Sequence, residues 1–132
     1  MRLRVAVDAL GGDCSPDEIV ACAVAAATAE ITPIVYGPAD LETHGLDHIV
    51  TSEAVEMDDK PAEAVRGKPD SSLVRAVRAV ADGEADAVVS AGNTGAALAA
   101  SLLHVRRLPG DYRPGIAIVI PTIVLAVTDT EV

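Results

Sequence analysis

Two short stretches of this sequence hold the residue types that grip an anion. One is Asp8-Ala9-Leu10-Gly11-Gly12-Asp13, the other Ser90-Ala91-Gly92-Asn93-Thr94-Gly95. In each, glycine lets the backbone turn tightly with N–H groups directed outward. A helix predicted just beyond each turn adds unsatisfied donors and the positive end of a dipole, so phosphate is the natural guest. Asn93 and Thr94 add side-chain donors to the second loop, which carries no negative charge. In the first loop Asp13 would repel phosphate unless offset, which makes it the weaker candidate. A second reading stands beside this one: such loops also arise because a turn needs positive φ, and Asn93 or Thr94 can serve only as a helix cap. Asp8 closes the first predicted strand, a place suited to a catalytic or cation-binding carboxylate and equally to a cap on its own loop.

A third stretch, residues 57–72, is the one basic cluster outside the predicted helix faces. Lys60, Arg66 and Lys68 could converge there on an anion, or form a solvated charge run. Familiar nucleotide signatures are missing: the sequence contains no G-x-x-x-x-G-K-[ST], and no G-x-G-x-x-G follows the first strand. A G-x-S-x-G nucleophile turn is absent too. Cys14 and Cys22 lie eight apart with Cys22 on a predicted helix, where two turns put ~12 Å between them, too far for a disulfide. Two free thiols fit a reducing cytoplasm. His44, His48 and His104 make no ligand spacing with each other or with the cysteines, so neither a metal site nor a cofactor is expected.

The elements that must position these loops alternate between strand and helix. Residues 3–8 read as a first strand. Ser15-Pro16-Asp17-Glu18 has the form of a helix start, with Ser15 at the N-cap and Glu18 closing a capping box, and the helix is predicted to reach Ala29. Its buried face is expected to carry Ile19, Val20, Ala23 and Ala27. A second strand spans 31–36, with Pro33 hinting at an edge or a late start. An ambiguous piece at 39–45 precedes a third strand at 48–50. Residues 53–70 read as a loop with one helical turn at 62–65. A helix opens at Asp70-Ser71-Ser72, buries Leu73, Val77 and Val80, and closes at Gly83. A fourth strand at 85–89 leads to the 90–95 loop and a helix whose inner face is expected at Leu98, Leu102 and Val105. A fifth strand is predicted at 116–120. Strands alternating with helices in this way mean right-handed βαβ crossovers. The predicted fold is α/β: a single-domain, three-layer α/β/α sandwich on a mostly parallel sheet, with ligands off the carboxyl ends of its strands.

Composition narrows the function classes. The chain has 132 residues, half of them apolar, with no Phe, no Trp and two Tyr. Aromatic platforms for single-stranded nucleic acid are thereby excluded. Twenty acidic residues against ten basic ones, a net charge of −10, also argue against a nucleic-acid partner. No window approaches the ~18 apolar residues of a membrane span, and Met1-Arg2-Leu3-Arg4 opens no signal-peptide core.

The 8–13 motif followed by Pro16, Glu18, Ile19 and Val20 resembles the opening of the bacterial phosphate acyltransferases of phospholipid synthesis. So do the 57–72 segment, the run from Ala85 through Ser90-Ala91-Gly92-Asn93-Thr94-Gly95-Ala96, and Arg113-Pro114-Gly115-Ile116-Ala117 with Ile120-Pro121-Thr122. The likeness covers nearly all of residues 1–122. Leu10 replaces the usual methionine, a volume-conserving change. Residues 123–132 depart from the family pattern, so the resemblance implies the N-terminal part of a longer enzyme. It further implies a Rossmann-like, phosphotransacetylase-like fold, a homodimer in full-length form, and a cytoplasmic location peripheral to the inner face of the membrane. The implied reaction is transfer of a fatty acyl group from acyl carrier protein to inorganic phosphate.

On that reading Asp8, Asn93 and Lys68 are the expected catalytic positions. Gly11, Gly12, Asp13, Lys60, Arg66, Ser90, Gly92, Thr94 and Gly95 are expected to bind phosphate or the acyl group. Phosphate is itself the nucleophile, so the protein's work is orientation and charge stabilisation; Cys14 as an acyl-enzyme nucleophile lacks a nearby base. Carrier docking is expected on Arg75, Arg78, Arg106 and Arg107. The alternative is a non-catalytic α/β module that holds phosphate or a partner. A nicotinamide-dependent oxidoreductase is disfavoured by the missing fingerprint.

Overall fold

The computed structural model describes residues 1–112. Its four strands are β1 (Leu3–Asp8), β2 (Ile31–Gly37), β3 (Asp47–Val50) and β4 (Ala87–Val89). All pair in parallel, in the order β3-β2-β1-β4. The helices are α1 (Asp17–Ala26), α2 (Pro61–Gly67), α3 (Ser72–Ala81) and α4 (Thr94–His104). The predicted α/β class and parallel sheet are therefore observed. The fifth strand expected at 116–120 lies outside the described residues.

Side-chain alternation along the strands builds a layer on each face. Val5, Val7 and Val35 pack with Val20 and Ala23 of α1. Their neighbours Ala6, Ile34 and Tyr36 pack on Ala76 and Ala79 of α3. Opposite pleat positions meet opposite helices, so α1 and α3 cover opposite faces. A further cluster joins Val65 of α2, Leu73, Val74 and Val77 of α3, and Ala96 and Ala100 of α4.

Several local expectations are corrected. Ser15 does not cap α1. Its Oγ donates to the carbonyls of Leu10 and Gly12 at 3.3 and 2.9 Å, which closes the preceding loop, and Pro16 occupies the N-cap without a side-chain bond. The helix stops at Ala26 because Ala27 turns extended and Thr28 Oγ1 accepts from the amides of Glu30 and Ile31. Strand β2 is interior rather than an edge, but its ladder with β3 begins only at Ile34, one residue past Pro33. The turn expected at 62–65 is a seven-residue helix opened by Pro61. Helix α4 buries a different face from the one predicted: Ala96 and Ala100 are buried, Leu98 is half-buried, and Leu102 and Val105 are exposed. Close approach of α2 explains this, since a Cβ at Gly95 would fall 2.7 Å from Pro61 Cγ. Only small side chains fit that seam.

Helix α3 keeps its predicted start. Ser71 is the N-cap and its hydroxyl accepts from the Val74 amide at 3.4 Å. Leu73 and Val77 are fully buried, and Gly83 beyond the helix adopts φ +76°.

Candidate functional site

Strand order reverses between β1 and β4, because the chain proceeds from β1 to β2 on one side and returns to β4 on the other. That crevice is where open α/β sheets place ligands. The 8–13 loop after β1 and the 90–95 loop after β4 meet there, backbone against backbone. A Cβ at Gly11 would lie 2.6 Å from Asp8 Oδ2, 2.8 Å from Ser90 Oγ and 2.9 Å from the Gly92 nitrogen. One at Gly92 would lie 3.0 Å from Gly11 Cα. Gly12 has φ +108°, which leaves little room for any other residue.

Asp8 ties the crevice together. It is 3 % exposed, and its Oδ1 accepts from Ser72 Oγ at 2.5 Å and from the Leu10 amide at 3.3 Å. Its Oδ2 accepts from Ser90 Oγ at 2.7 Å. Ser90 Oγ in turn accepts from the Gly92 amide at 3.1 Å. The carboxylate therefore faces inward onto two hydroxyls, joining the end of β1, the start of α3 and the turn into α4.

Asn93 is 7 % exposed and caps α4, its Oδ1 accepting from the Ala96 amide at 3.0 Å. Its Nδ2 donates to the carbonyls of Glu56, Met57 and Asp59 at 3.1, 3.3 and 3.0 Å. Those bonds hold the 56–59 loop and occupy the Asn93 amide nitrogen. Among the described residues the amides of Asn93, Thr94 and Gly95 have no protein acceptor. Thr94 is exposed at the first turn of α4, and Asp13 is exposed on the other loop.

The three cations of the 57–72 segment do not share one point. Lys68 Nζ contacts Asp59 Oδ2 at 2.5 Å and the Ala54 carbonyl at 2.9 Å. Lys60 faces Glu63 at 3.5 Å, with both side chains largely in solvent. Lys60 and Lys68 line one depression together with Asp58, Asp59 and Glu63. Arg66 lines a different groove between α2 and α4, beside Val65, Leu102 and Leu103. Three carboxylates around two ammonium groups leave the first depression without a net positive field. No cluster of three or more His, Cys, Asp or Glu side chains able to hold a metal ion occurs among the described residues.

Sequence reasoning missed two features here: Ser72 as a partner of Asp8, and the carbonyls gathered on Asn93. The one signal available for Ser72 was a second serine at a helix start already capped by the first.

Ionisation adds a measurable consequence. The Lys68 ammonium and the Glu56 amide hold the Asp59 carboxyl below its ordinary 3.8. The Ser52 hydroxyl and Arg75 do the same for Asp70, and the Arg4 amide and guanidinium for Asp86. Burial, with Arg78 nearby, pulls His104 below its ordinary 6.5. All four groups bind protons more readily in the unfolded chain, so acid favours unfolding. Their contribution is complete above the ordinary values and is lost as pH falls, first below 6.5 through His104 and then below 3.8 through the aspartates. Lys68, raised by Asp59, works the other way: its contribution is present below 10.5 and is lost as pH rises through the raised value. Urea midpoints measured from pH 8 down to 3 are expected to fall in these two steps. A flat profile would contradict the assignment.

A family model described as "Fatty acid synthesis protein" matches residues 3–128 of this sequence. The chain is 42 % identical over 133 residues to a phosphate acyltransferase from Heliobacterium modesticaldum, covering 92 % of this chain and 40 % of that protein. It is 46 % identical over 131 residues to the phosphate acyltransferase of Desulfitobacterium hafniense strain DCB-2, covering 92 % and 39 %. For the phosphate acyltransferase of Thermosynechococcus vestitus the identity is 43 % over 133 residues, covering 92 % and 38 %. The chain thus spans about two fifths of the length of the curated relatives it matches.

Proposed function

We propose, from the premise that this chain belongs to the fatty acid synthesis protein family, that it supplies the phosphate-holding part of a phosphate acyltransferase. The observation that carries this reading is the β1–β4 crevice, where two glycine-bearing loops meet beside amides of residues 93–95 that have no acceptor among the described residues. Phosphate held there by backbone donors and the α4 dipole has one oxygen free to attack the thioester carbonyl of a fatty acyl group on acyl carrier protein. The C–S bond breaks, the carrier thiolate leaves and takes up a proton, and acyl phosphate is released. Orientation is the main contribution asked of the protein. Asp8 shapes the site through Ser72 and Ser90, Asn93 holds the 56–59 loop beside it, and Lys68 fixes that loop through Asp59.

As part of the same reading, the whole protein works as a homodimer on the cytoplasmic face of the membrane, a point supported by the family resemblance alone. No helix among the described residues is long and apolar enough to cross a membrane. Carrier docking falls to Arg78 and Arg106, both exposed. Arg75 is held by Asp70, and Arg107 Nη1 donates to the Tyr112 carbonyl. A second reading, a module that holds phosphate without turnover, is favoured by the pairing of Lys60 and Lys68 with carboxylates, which leaves little free positive charge for a developing oxyanion.

Calorimetric titration of inorganic phosphate into the wild type and Thr94→Glu tests the site. A glutamate at the first helical position suits the dipole, so the variant should fold normally. Its carboxylate would compete for the same amides, and phosphate affinity is expected to fall at least tenfold. Phosphate-dependent thiol release from acyl carrier protein then separates the two readings. Absence of phosphate binding by the wild type would sink both.

A further inference from the structure

We infer that Ser72 is a positioning residue of the phosphate site, acting on the 90–95 loop through the Asp8 carboxylate; this rests on the reading of that loop as the place where phosphate is held.

The hydroxyl of Ser72 is not needed by its own helix. Ser71 already caps α3 by accepting from the Val74 amide, and the Ser72 amide donates to the Glu53 carbonyl. Ser72 is 1 % exposed, yet its Oγ is spent on a carboxylate 64 residues earlier in the chain. A buried carboxylate is costly unless its oxygens are hydrogen-bonded, and Ser72 supplies one of the two hydroxyls that meet this need.

Proton bookkeeping defines the role of Ser72. An ionised carboxylate only accepts, so both serine hydroxyls must donate to it. Each hydroxyl has a single hydrogen. With that hydrogen directed at Asp8, Ser90 must turn a lone pair to the Gly92 amide, and this is the bond observed at 3.1 Å. The polarity of the row Ser72–Asp8–Ser90–Gly92 is therefore set throughout. Ser72 is the end stop. The carboxylate torsion of an aspartate is soft, and without Ser72 the Oδ1 atom retains only the Leu10 amide at 3.3 Å. Oδ2 would then wander from Ser90, and the turn that aims the amides of residues 93–95 would lose its brace. Gly11 and Gly92 press against the same two side chains, so small rotations there reach the loop directly.

The test is a double-mutant cycle on this chain with inorganic phosphate as the probe. Ser72→Cys keeps the side-chain shape with a somewhat larger, poorer donor, and Ser72→Ala removes the donor altogether. Each is expected to weaken phosphate about fivefold, as is Ser90→Ala. Combined with Ser90→Ala, either Ser72 variant should weaken it by less than a further twofold, because Ser72 acts through Ser90. Independent, multiplying losses would overturn the proposal, as would wild-type affinity in both Ser72 variants. Amide exchange without phosphate supplies a second readout. In Ser72→Cys the Gly92 amide should exchange at least tenfold faster, while the α3 amide of Val77 is unchanged. Unchanged Gly92 exchange refutes the relay even where phosphate binds. Faster Gly92 exchange in Ser72→Cys, with no phosphate binding by the wild type, would retain the brace and reject the phosphate reading on which the positioning role depends.

Discussion

Asp8→Ala is expected to destabilise the fold by about 3 kcal/mol or more, the largest loss anticipated from one substitution in the described region. The change strands two serine hydroxyls that now donate at 2.5 and 2.7 Å and removes an acceptor from the Leu10 amide. Each buried donor left unpaired costs about 1–3 kcal/mol. For a domain of this size the melting temperature should drop by about 10 °C. Asp8→Asn should cost clearly less, because the amide oxygen can accept from one serine while its nitrogen donates to the other. Thermal unfolding followed by circular dichroism compares the two. Equal melting temperatures for Asp8→Ala and wild type would show that the carboxylate joins nothing of energetic weight.

Asn93→Asp should be nearly as damaging, at about 2–4 kcal/mol, although the two side chains are the same size and both cap helices well. The cap on the Ala96 amide survives the exchange. The other half of the side chain does not: a carboxylate oxygen would replace the Nδ2 that faces three backbone carbonyls at 3.0–3.3 Å. Lost hydrogen bonds and direct repulsion then act on the same loop in a buried place. Size and capping preference taken alone suggest a harmless substitution; the carbonyls around Nδ2 make it a loop-releasing one. Denaturant unfolding gives the stability loss, and amide exchange of residues 56–59 gives its location. Protection of that loop at the wild-type level would remove the clamp assigned to Asn93. Thr94, exposed on the next turn, is the position that reports on the anion without disturbing the clamp.

Much of the architecture was legible without coordinates. Alternating apolar residues in 3–8 and the Val/Ile-rich 31–36 mark strands, Ser71 ahead of Leu73 and Val77 marks a helix start and its buried face, and two glycine loops follow two strands. These are short-range properties, set by side-chain periodicity and by which residues tolerate a turn. They suffice for the α/β class, the parallel sheet and the motifs that carry the family resemblance. What only the tertiary structure decided depends on groups far apart in the chain. Strand order brings the Asp8 and Ser90 loops into one crevice across 82 residues, and the bonds of Asn93 to the 56–59 loop span 34 to 37. Neither leaves a local signature, because a serine or asparagine looks the same whether its hydrogens meet water, a carboxylate or a carbonyl. The same holds for Lys60, Lys68 and Arg66, whose nearness in sequence says nothing of the carboxylates that two of them meet or the apolar groove the third lines. Helix α4 makes the point for apolar side chains. Leucine spacing suggests one inner face, but the close approach of α2 favours alanine and glycine there, so Leu102 and Leu103 turn outward. Periodicity states that a helix has a face; the gap it must fill decides which one.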